Sequence, residues 1–128
     1  MASTWASVSG PADLYAETGE AVLTVATNAD TAAVVTTQGR RMTVESLLRT
    51  LAVEAAIHHL DLEPVLPEPP SQSVLKEVCR LLDALVGQSL STGSDAVHYI
   101  RVGTGRSPVS AEERKELGAL ADRFPLFG

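Results

Sequence analysis

The chain has 128 residues, of which 45% are hydrophobic and only 4% aromatic, and its formal net charge is −6. That length and hydrophobic content suit one ordinary core, and the abundance of Ala, Val and Leu over aromatic residues favours packing of helix on helix. The ten basic residues are spread along the chain apart from Arg40 and Arg41, which argues against a nucleic-acid or anionic-membrane partner.

Cysteine usage and the absence of targeting patterns predict a cytoplasmic protein. Cys79 is the single cysteine, so an internal disulfide is excluded and a reducing compartment fits. No stretch combines a basic start, an apolar run and a cleavage site, and no apolar run approaches the roughly 18 residues of a membrane span. Cys79 itself is expected to be a packing residue rather than a nucleophile or a metal ligand.

The first part of the chain is predicted to hold a loose terminus, a helix and a short extended segment. Residues 1–11 are small and polar, with Trp5 as their one possible anchor. A helical pattern follows over residues 12–27, and an extended segment ends at Gly39. The helix is expected to turn one apolar stripe inward, consisting of Leu14, Ala21, Val22 and Val25.

The longest helical pattern covers residues 44–62, with Thr43 as a plausible N-cap and Pro64 as the stop. Two apolar sets occupy opposite sides of this helix, which predicts a central rather than a surface position. One stripe consists of Val44, Leu47, Leu48, Leu51, Ala55, His58 and Leu62. The other side is lined by Val53, Ile57 and Leu60.

Glu54 and His58 stand four residues apart on this helix, a spacing that places two side chains one above the other. Such a pair suits joint binding of a divalent metal, for which zinc needs at least one further protein ligand. Asp61 could orient the imidazole of His58, and His59 points about 100° away, so it is the weaker candidate ligand. The alternative is a polar pair with a hydrogen bond or ion pair and no metal.

The second part of the chain is predicted to hold a stiff proline-rich connector over residues 63–70, a helix over 71–86, and a strand over 96–102. Ser71 is the expected N-cap and Gly87 the C-terminal stop of that helix. Its inward residues are expected to be Val74, Val78, Leu81, Leu82 and Leu85.

The sequence after the predicted strand reads as a turn, a last helix and an apolar tail. The Gly-Thr-Gly-Arg turn around Arg106 could cradle an anion, but it lacks the ending of a phosphate loop, so a simple turn is the default. Ser110 and Glu113 form a capping box that starts a helix reaching about Arg123, with Leu117, Leu120 and Ala121 inward. The closing FPLFG is expected to dock on the body.

Two motifs in these segments resemble the actinobacterial mycothiol-dependent maleylpyruvate isomerase family, whose amino-terminal domain is a DinB-like four-helix bundle. The more specific one is E-x-x-x-H-H-x-D-L from Glu54 to Leu62. The other is the T-G-R…E-R-x-x-L-G…R-F-P-L pattern between Thr104 and Leu126. The resemblance covers roughly residue 13 to the end.

The resemblance implies Glu54 and His58 as ligands of a divalent metal, usually zinc, and mycothiol as a thiol cofactor bound as a metal thiolate for isomerisation or transfer. Arg106 is the candidate catalytic residue, as a contact for an anionic small-molecule substrate. A divalent metal stabilises a thiolate at neutral pH, so the implied chemistry is physically reasonable.

The sequence departs from the family pattern at the first metal ligand, a His on an early helix. Here the only histidines are His58, His59 and His98. Three explanations stay open: a shortened gene product, a bundle completed by a second copy or another chain, or a non-enzymatic relative acting as a dimerisation module. His98 as a third ligand has no support from spacing.

We therefore expect a mainly α fold, with a partial DinB-like bundle followed by a short strand and a C-terminal helix. Residues 12–128 form a single helical domain in this interpretation. Residues 12–62 make half of the bundle, and residues 71–128 supply the C-terminal helices and the strand. Because half a bundle leaves apolar faces uncovered, a homodimer or a complex with a second chain is expected.

Overall fold

The computed structural model describes residues 9–66, 68–91 and 95–127. It is mainly helical with one small two-stranded sheet, so the predicted mainly α class is confirmed. The chain divides into two compact units, Met1–Arg49 and Thr50–Gly128. The loose terminus and the Trp5 anchor fall largely in residues 1–8, outside the described residues, whereas residues 9–11 already belong to the first helix.

The first unit contains helix α1 (Ser9–Asn28), strands β1 (Val34–Thr37) and β2 (Arg40–Thr43), and the start of helix α2 (Val44–Asp61). The two strands pair antiparallel through a turn at Gln38 and Gly39, both of which have positive φ. Thr43 caps α2 as predicted, because its Oγ1 accepts the Ser46 N–H at 3.1 Å.

The predicted inward stripe of α1 is wrong for the chain as it stands. Its four residues are all solvent-exposed. Of the α1 residues whose burial the structure describes, only Gly10, Gly19 and Ala26 are half-buried, and the others are exposed. Burial was expected from periodicity alone, and periodicity does not say whether another element packs on the stripe.

The second unit contains the rest of α2, helices α3 (Gln72–Val86), α4 (Ala96–Gly103) and α5 (Ala111–Leu117), and a 3₁₀ helix (Gly118–Arg123). Ser71 caps α3, and Gly87 ends it in the left-handed conformation with φ 86°, as predicted. One core joins α2, α3 and α4: Val53, Ala56, Ile57, Leu60, Leu75, Val78, Cys79, Leu82, Tyr99 and Ile100.

The segment predicted as a strand over residues 96–102 is helix α4. Asp95 caps it, since its side chain accepts the Val97 N–H at 3.0 Å. Its buried residues include Tyr99, Ile100 and Gly103, a three-to-four-residue spacing that seats the helix on α3. A run of seven residues fits both periods, and packing against α3 favours the helical one.

The buried face of α3 is rotated from the predicted one. Leu75, Cys79 and Val86 are buried, whereas the predicted Leu85 is exposed. Cys79 is thus a core residue, as expected for a packing cysteine. Burial raises the pKa of its thiol, with a further contribution from the negative charge of Asp83.

The apolar tail docks on the second unit as predicted. Phe124, Leu126 and Phe127 pack against the core, and the Leu126 N–H donates to the Gly103 carbonyl at 2.8 Å. The capping box is also confirmed, with the side chains and backbone N–H groups of Ser110 and Glu113 bonded reciprocally. Of the helices in the described residues, none has the length and apolar character to cross a membrane.

Candidate functional site

The carboxylate and imidazole predicted as metal ligands meet on the exposed side of α2. Glu54 Oε2 lies 3.7 Å from His58 Nε2, and their side chains are 43% and 67% exposed, respectively. The one-turn spacing on a helix produces this proximity, since residues four apart lie on the same face.

The prediction that α2 is central, with both of its apolar sides covered, is wrong on the side that carries His58. The buried residues of α2 are on the opposite side: Val53, Ala56, Ile57 and Leu60. Leu51, Ala55, His58 and Leu62 of the predicted stripe are exposed in the second unit. The helix has two apolar sides, but α3 and α4 pack only against the side that carries Val53.

Asp61 lies on the other side of the imidazole, where the sequence predicted an orienting partner. Its Oδ2 is 3.5 Å from His58 Nδ1. The two nitrogens of His58 therefore face different carboxylates, Nε2 facing Glu54 and Nδ1 facing Asp61. A carboxylate on Nδ1 fixes the tautomer that leaves Nε2 free to bind a metal.

Arg106 holds Asp61 through a two-point contact. Its Nε and Nη2 donate to the two oxygens of Asp61 at 2.5 and 2.7 Å, and Nη1 donates to the Thr104 carbonyl at 3.3 Å. Gly105, with φ 74°, makes the tight turn that brings this guanidinium back toward α2. The predicted site residues Glu54, His58 and Arg106 thus belong to one continuous cluster.

The electrostatics of the cluster follow from this geometry. The hydrogen bonds from Arg106 lower the pKa of Asp61 and outweigh the opposing effect of burial, and the charge of Arg106 and the contact with His58 lower it further. The same hydrogen bonds raise the pKa of Arg106, to which the negative charge of Glu54 also contributes. At neutral pH the cluster therefore holds Asp61 and Arg106 fully ionised.

The described residues do not contain a complete metal centre, since they include no group of three or more His, Cys, Asp or Glu side chains that could hold one ion. His59 is engaged elsewhere, with its Nε2 2.6 Å from the Glu68 carbonyl. His98 pairs with Glu113 at 2.7 Å. Asp61 faces the nitrogen that Glu54 does not share, so it is an orienting group rather than a third ligand.

A second polar cluster, which the sequence did not indicate, is centred on Asp83 of α3. Its carboxylate accepts hydrogen bonds from the backbone N–H groups of Leu90 and Ser91, from the hydroxyl groups of Ser89 and Ser91, and from Tyr99. The sequence feature that could have indicated this cluster is Asp83 directly after Leu82, near the end of a helix that a Ser-rich loop follows. This carboxylate fixes the loop against α4.

Burial alone would raise the pKa of Asp83, but its hydrogen bonds from Leu90, Ser91, Tyr99 and Ser89 outweigh that effect and lower it. Burial and the same carboxylate raise the pKa of Tyr99. The Tyr99 hydroxyl therefore stays protonated and keeps donating to Asp83 throughout the physiological range.

Glu113 belongs to a third polar group, next to the loop that Asp83 fixes. The backbone N–H and hydroxyl of Ser110, followed by His98, lower the pKa of Glu113 to about 2. A cavity opens beside this pair between α4, α5 and the loop after α3, lined by Ser89, Leu90, His98, Tyr99, Val102, Glu113, Glu116, Leu117 and Phe124.

Comparisons with protein-family models, with curated proteins and with solved structures gave no match to this chain.

Proposed function

We propose that this chain is a metal-binding helical module of the thiol-dependent, mycothiol-type isomerase and transferase class, in which Glu54 and His58 supply two ligands to a divalent metal. The observation that supports this most is the separation of 3.7 Å between Glu54 Oε2 and His58 Nε2. Two donors at zinc–oxygen and zinc–nitrogen distances in a tetrahedral site stand about 3.3 Å apart, so a small side-chain rotation would close the gap.

The Asp61–Arg106 pair supports the same proposal. An imidazole that binds a metal through Nε2 usually places its other nitrogen against a carboxylate or carbonyl, and Asp61 is in that position. All three guanidinium nitrogens of Arg106 already donate hydrogen bonds, Nε and Nη2 to Asp61 and Nη1 to the Thr104 carbonyl. Its proposed role in this chain is therefore to position Asp61, and a contact with an anionic substrate would require breaking those bonds.

The rest of the donor set must come from another chain or segment in this proposal, because the described residues add no third ligand to Glu54 and His58. Leu51 of α2 and Leu62, which directly follows that helix, are 52% and 50% exposed. An apolar rim around an incomplete metal site suits a protein partner that covers the rim and supplies the missing donors. A second copy is the simplest partner.

Zinc bound at this site would stabilise a thiolate cofactor such as mycothiol at neutral pH, which is the chemistry that the family resemblance implies. Zinc is the first choice among divalent metals because imidazole and carboxylate both suit it, and nickel, iron and manganese accept the same donors. The contribution of this chain is to hold Glu54 and His58 in register on one rigid helix.

Calorimetric titration with zinc tests this proposal. The chain should bind zinc, the double substitution Glu54→Ala, His58→Ala should abolish binding, and His59→Ala should leave the affinity unchanged. His59 is the matched control because it neighbours His58 but bonds to Glu68 instead. Equal zinc affinity in the wild type and the double variant would contradict the proposal.

A second candidate function is a non-catalytic dimerisation or interaction module. The observation in its favour is the exposed apolar surface of the first unit, where α1 and the first turns of α2 form a groove of about 420 Å³. The described residues that line this groove are apolar apart from Thr18. A folded dimer whose stability is insensitive both to a chelator and to the Glu54→Ala, His58→Ala substitution would favour this function.

A further inference from the structure

The cavity between α4, α5 and the loop after α3 has a volume of about 350 Å³, at the lower end of the range for small-molecule sites. Four apolar side chains form much of its wall: Leu90, Val102, Leu117 and Phe124. All lie in the second unit, and none belongs to the Glu54–His58 cluster. The cavity can therefore hold a ligand independently of any metal.

The described hydroxyl groups that line this cavity, those of Ser89 and Tyr99, already donate their protons in hydrogen bonds. Ser89 donates to Asp83 at 3.2 Å and Tyr99 donates to Asp83 at 3.0 Å. A hydroxyl has one proton and two lone pairs, so both oxygens can offer only acceptor capacity to a ligand. Asp83 thus determines the hydrogen-bonding character of the cavity without lining it.

The ionisable groups of the cavity add negative charge. Glu113 is already engaged, because one of its oxygens lies 2.7 Å from His98 Nε2 and the other accepts the Ser110 N–H at 2.8 Å. The Glu116 carboxylate makes no hydrogen bond or ion pair with the part of the chain that the structure describes. No Lys or Arg is among the described residues that line the cavity. Glu116 is therefore an uncompensated carboxylate at an apolar wall.

We propose that this cavity binds a small organic ammonium ion with an apolar body. The ammonium group donates to Glu116 and to the acceptor oxygens of Ser89 and Tyr99. The apolar body packs against the aliphatic wall and the ring of Phe124, which also attracts a cation over its face. The net charge of −6 favours accumulation of cations near the chain.

The probe for this site is 2-phenylethylammonium, with 3-phenylpropionate as a control of similar size and opposite charge. A titration monitored by the NMR chemical shifts of the backbone amides, with chelator present, should show saturable binding of the ammonium compound. The expected Kd is about 1 mM for so small a ligand. Shifts should centre on residues that line the cavity, and phenylpropionate should produce none that saturate.

Glu116→Gln should raise the Kd for the ammonium compound about tenfold, the effect of losing one charge-assisted hydrogen bond. Glu112→Gln is the matched control on the same helix, because Glu112 loses the same charge but does not line the cavity, and its Kd should change less than about twofold. Equal effects of the two substitutions, equal binding of the two phenyl compounds, or no saturable binding of the ammonium compound would each overturn the proposal.

Discussion

At the scale of single residues, the account depends on a relay of contacts from Arg106 through Asp61 to His58. Arg106 fixes both oxygens of Asp61, and Asp61 faces the Nδ1 of His58. Each contact restricts the next, so the imidazole presents its Nε2 to the side where Glu54 lies. These side chains are partly exposed, so their contacts orient His58 but add little to the stability of the fold.

Arg106→Gln should weaken zinc binding at Glu54 and His58 about tenfold, because Asp61 then loses the partner that fixes it. The pKa of Asp61 should rise toward its ordinary value, which carboxyl NMR can follow. The free energy of unfolding should fall by no more than about 1 kcal/mol, because the Arg106–Asp61 pair is partly exposed. Arg106→Lys keeps the charge without the two-point contact and should be intermediate. An unchanged Asp61 titration in Arg106→Gln would contradict the relay.

Glu113 provides a pH-dependent test of the capping box. Its pKa in the folded state is about 2 against an ordinary value of 4.5. A lowered pKa means that the carboxylate stabilises the folded state above pH 4.5 and that this stability is lost as the pH falls through about 2.

Glu113→Gln should therefore reduce the free energy of unfolding by about 1 kcal/mol at pH 5, and the difference from wild type should disappear near pH 2. Denaturant titrations at several pH values measure the effect. Glu112→Gln is the control, and a difference that stays constant with pH would contradict the assignment.

At the scale of elements, α4 packs very closely on α3 at Gly103. A Cβ added to Gly103 would lie 2.7 Å from Leu82 Cδ1, and Leu82 is fully buried, so its side chain has no room to move. This contact also explains why a glycine ends α4 next to the core.

Gly103→Ala should destabilise the fold by about 1 to 3 kcal/mol through overpacking, despite the better helix propensity of Ala. Gly19→Ala in α1 is the matched control, because nothing lies within 4 Å of an added Cβ there, and it should increase helix stability by about 0.5 to 1 kcal/mol. Thermal unfolding followed by circular dichroism measures both. A neutral or stabilising Gly103→Ala would show that the α3–α4 contact is looser than described.

The sequence predicted the elements that have local signals. Each of these helix ends is marked by a single residue beside it. Those residues are the caps Thr43, Ser71 and Ser110 and the stop Gly87, so these boundaries could be predicted. The segment over residues 96–102 could not, because its apolar residues fit either period and packing on α3 decides between them.

The sequence also predicted which polar side chains are neighbours on α2, but not which side of that helix is buried. The i, i+4 spacing of Glu54 and His58 and the nearby Asp61 are local properties, and they survive in the structure. Burial is not local. The side of α2 that enters the core depends on where α3 and α4 pack, and the Asp83 cluster depends on a loop that only the fold brings back to Tyr99.

At the scale of the whole molecule, apolar side chains remain exposed in both units. In the first unit they include Val22, Leu23 and Val25 of α1, and in the second they include Leu51 of α2 and Leu62, which directly follows that helix. Scattered apolar residues are normal on a protein surface, but a contiguous apolar face indicates an interaction surface. The expectation that the chain associates follows from these faces together with the incomplete ligand set.

The most direct test of the central claim is the mass of the chain by light scattering, measured with zinc and with chelator alongside the zinc content per chain. If a second copy completes the Glu54–His58 site, the chain should hold one zinc per chain or per dimer and have the mass of a dimer. The Glu54→Ala, His58→Ala substitution should remove the zinc. A well-folded, metal-free monomer under both conditions would contradict the account.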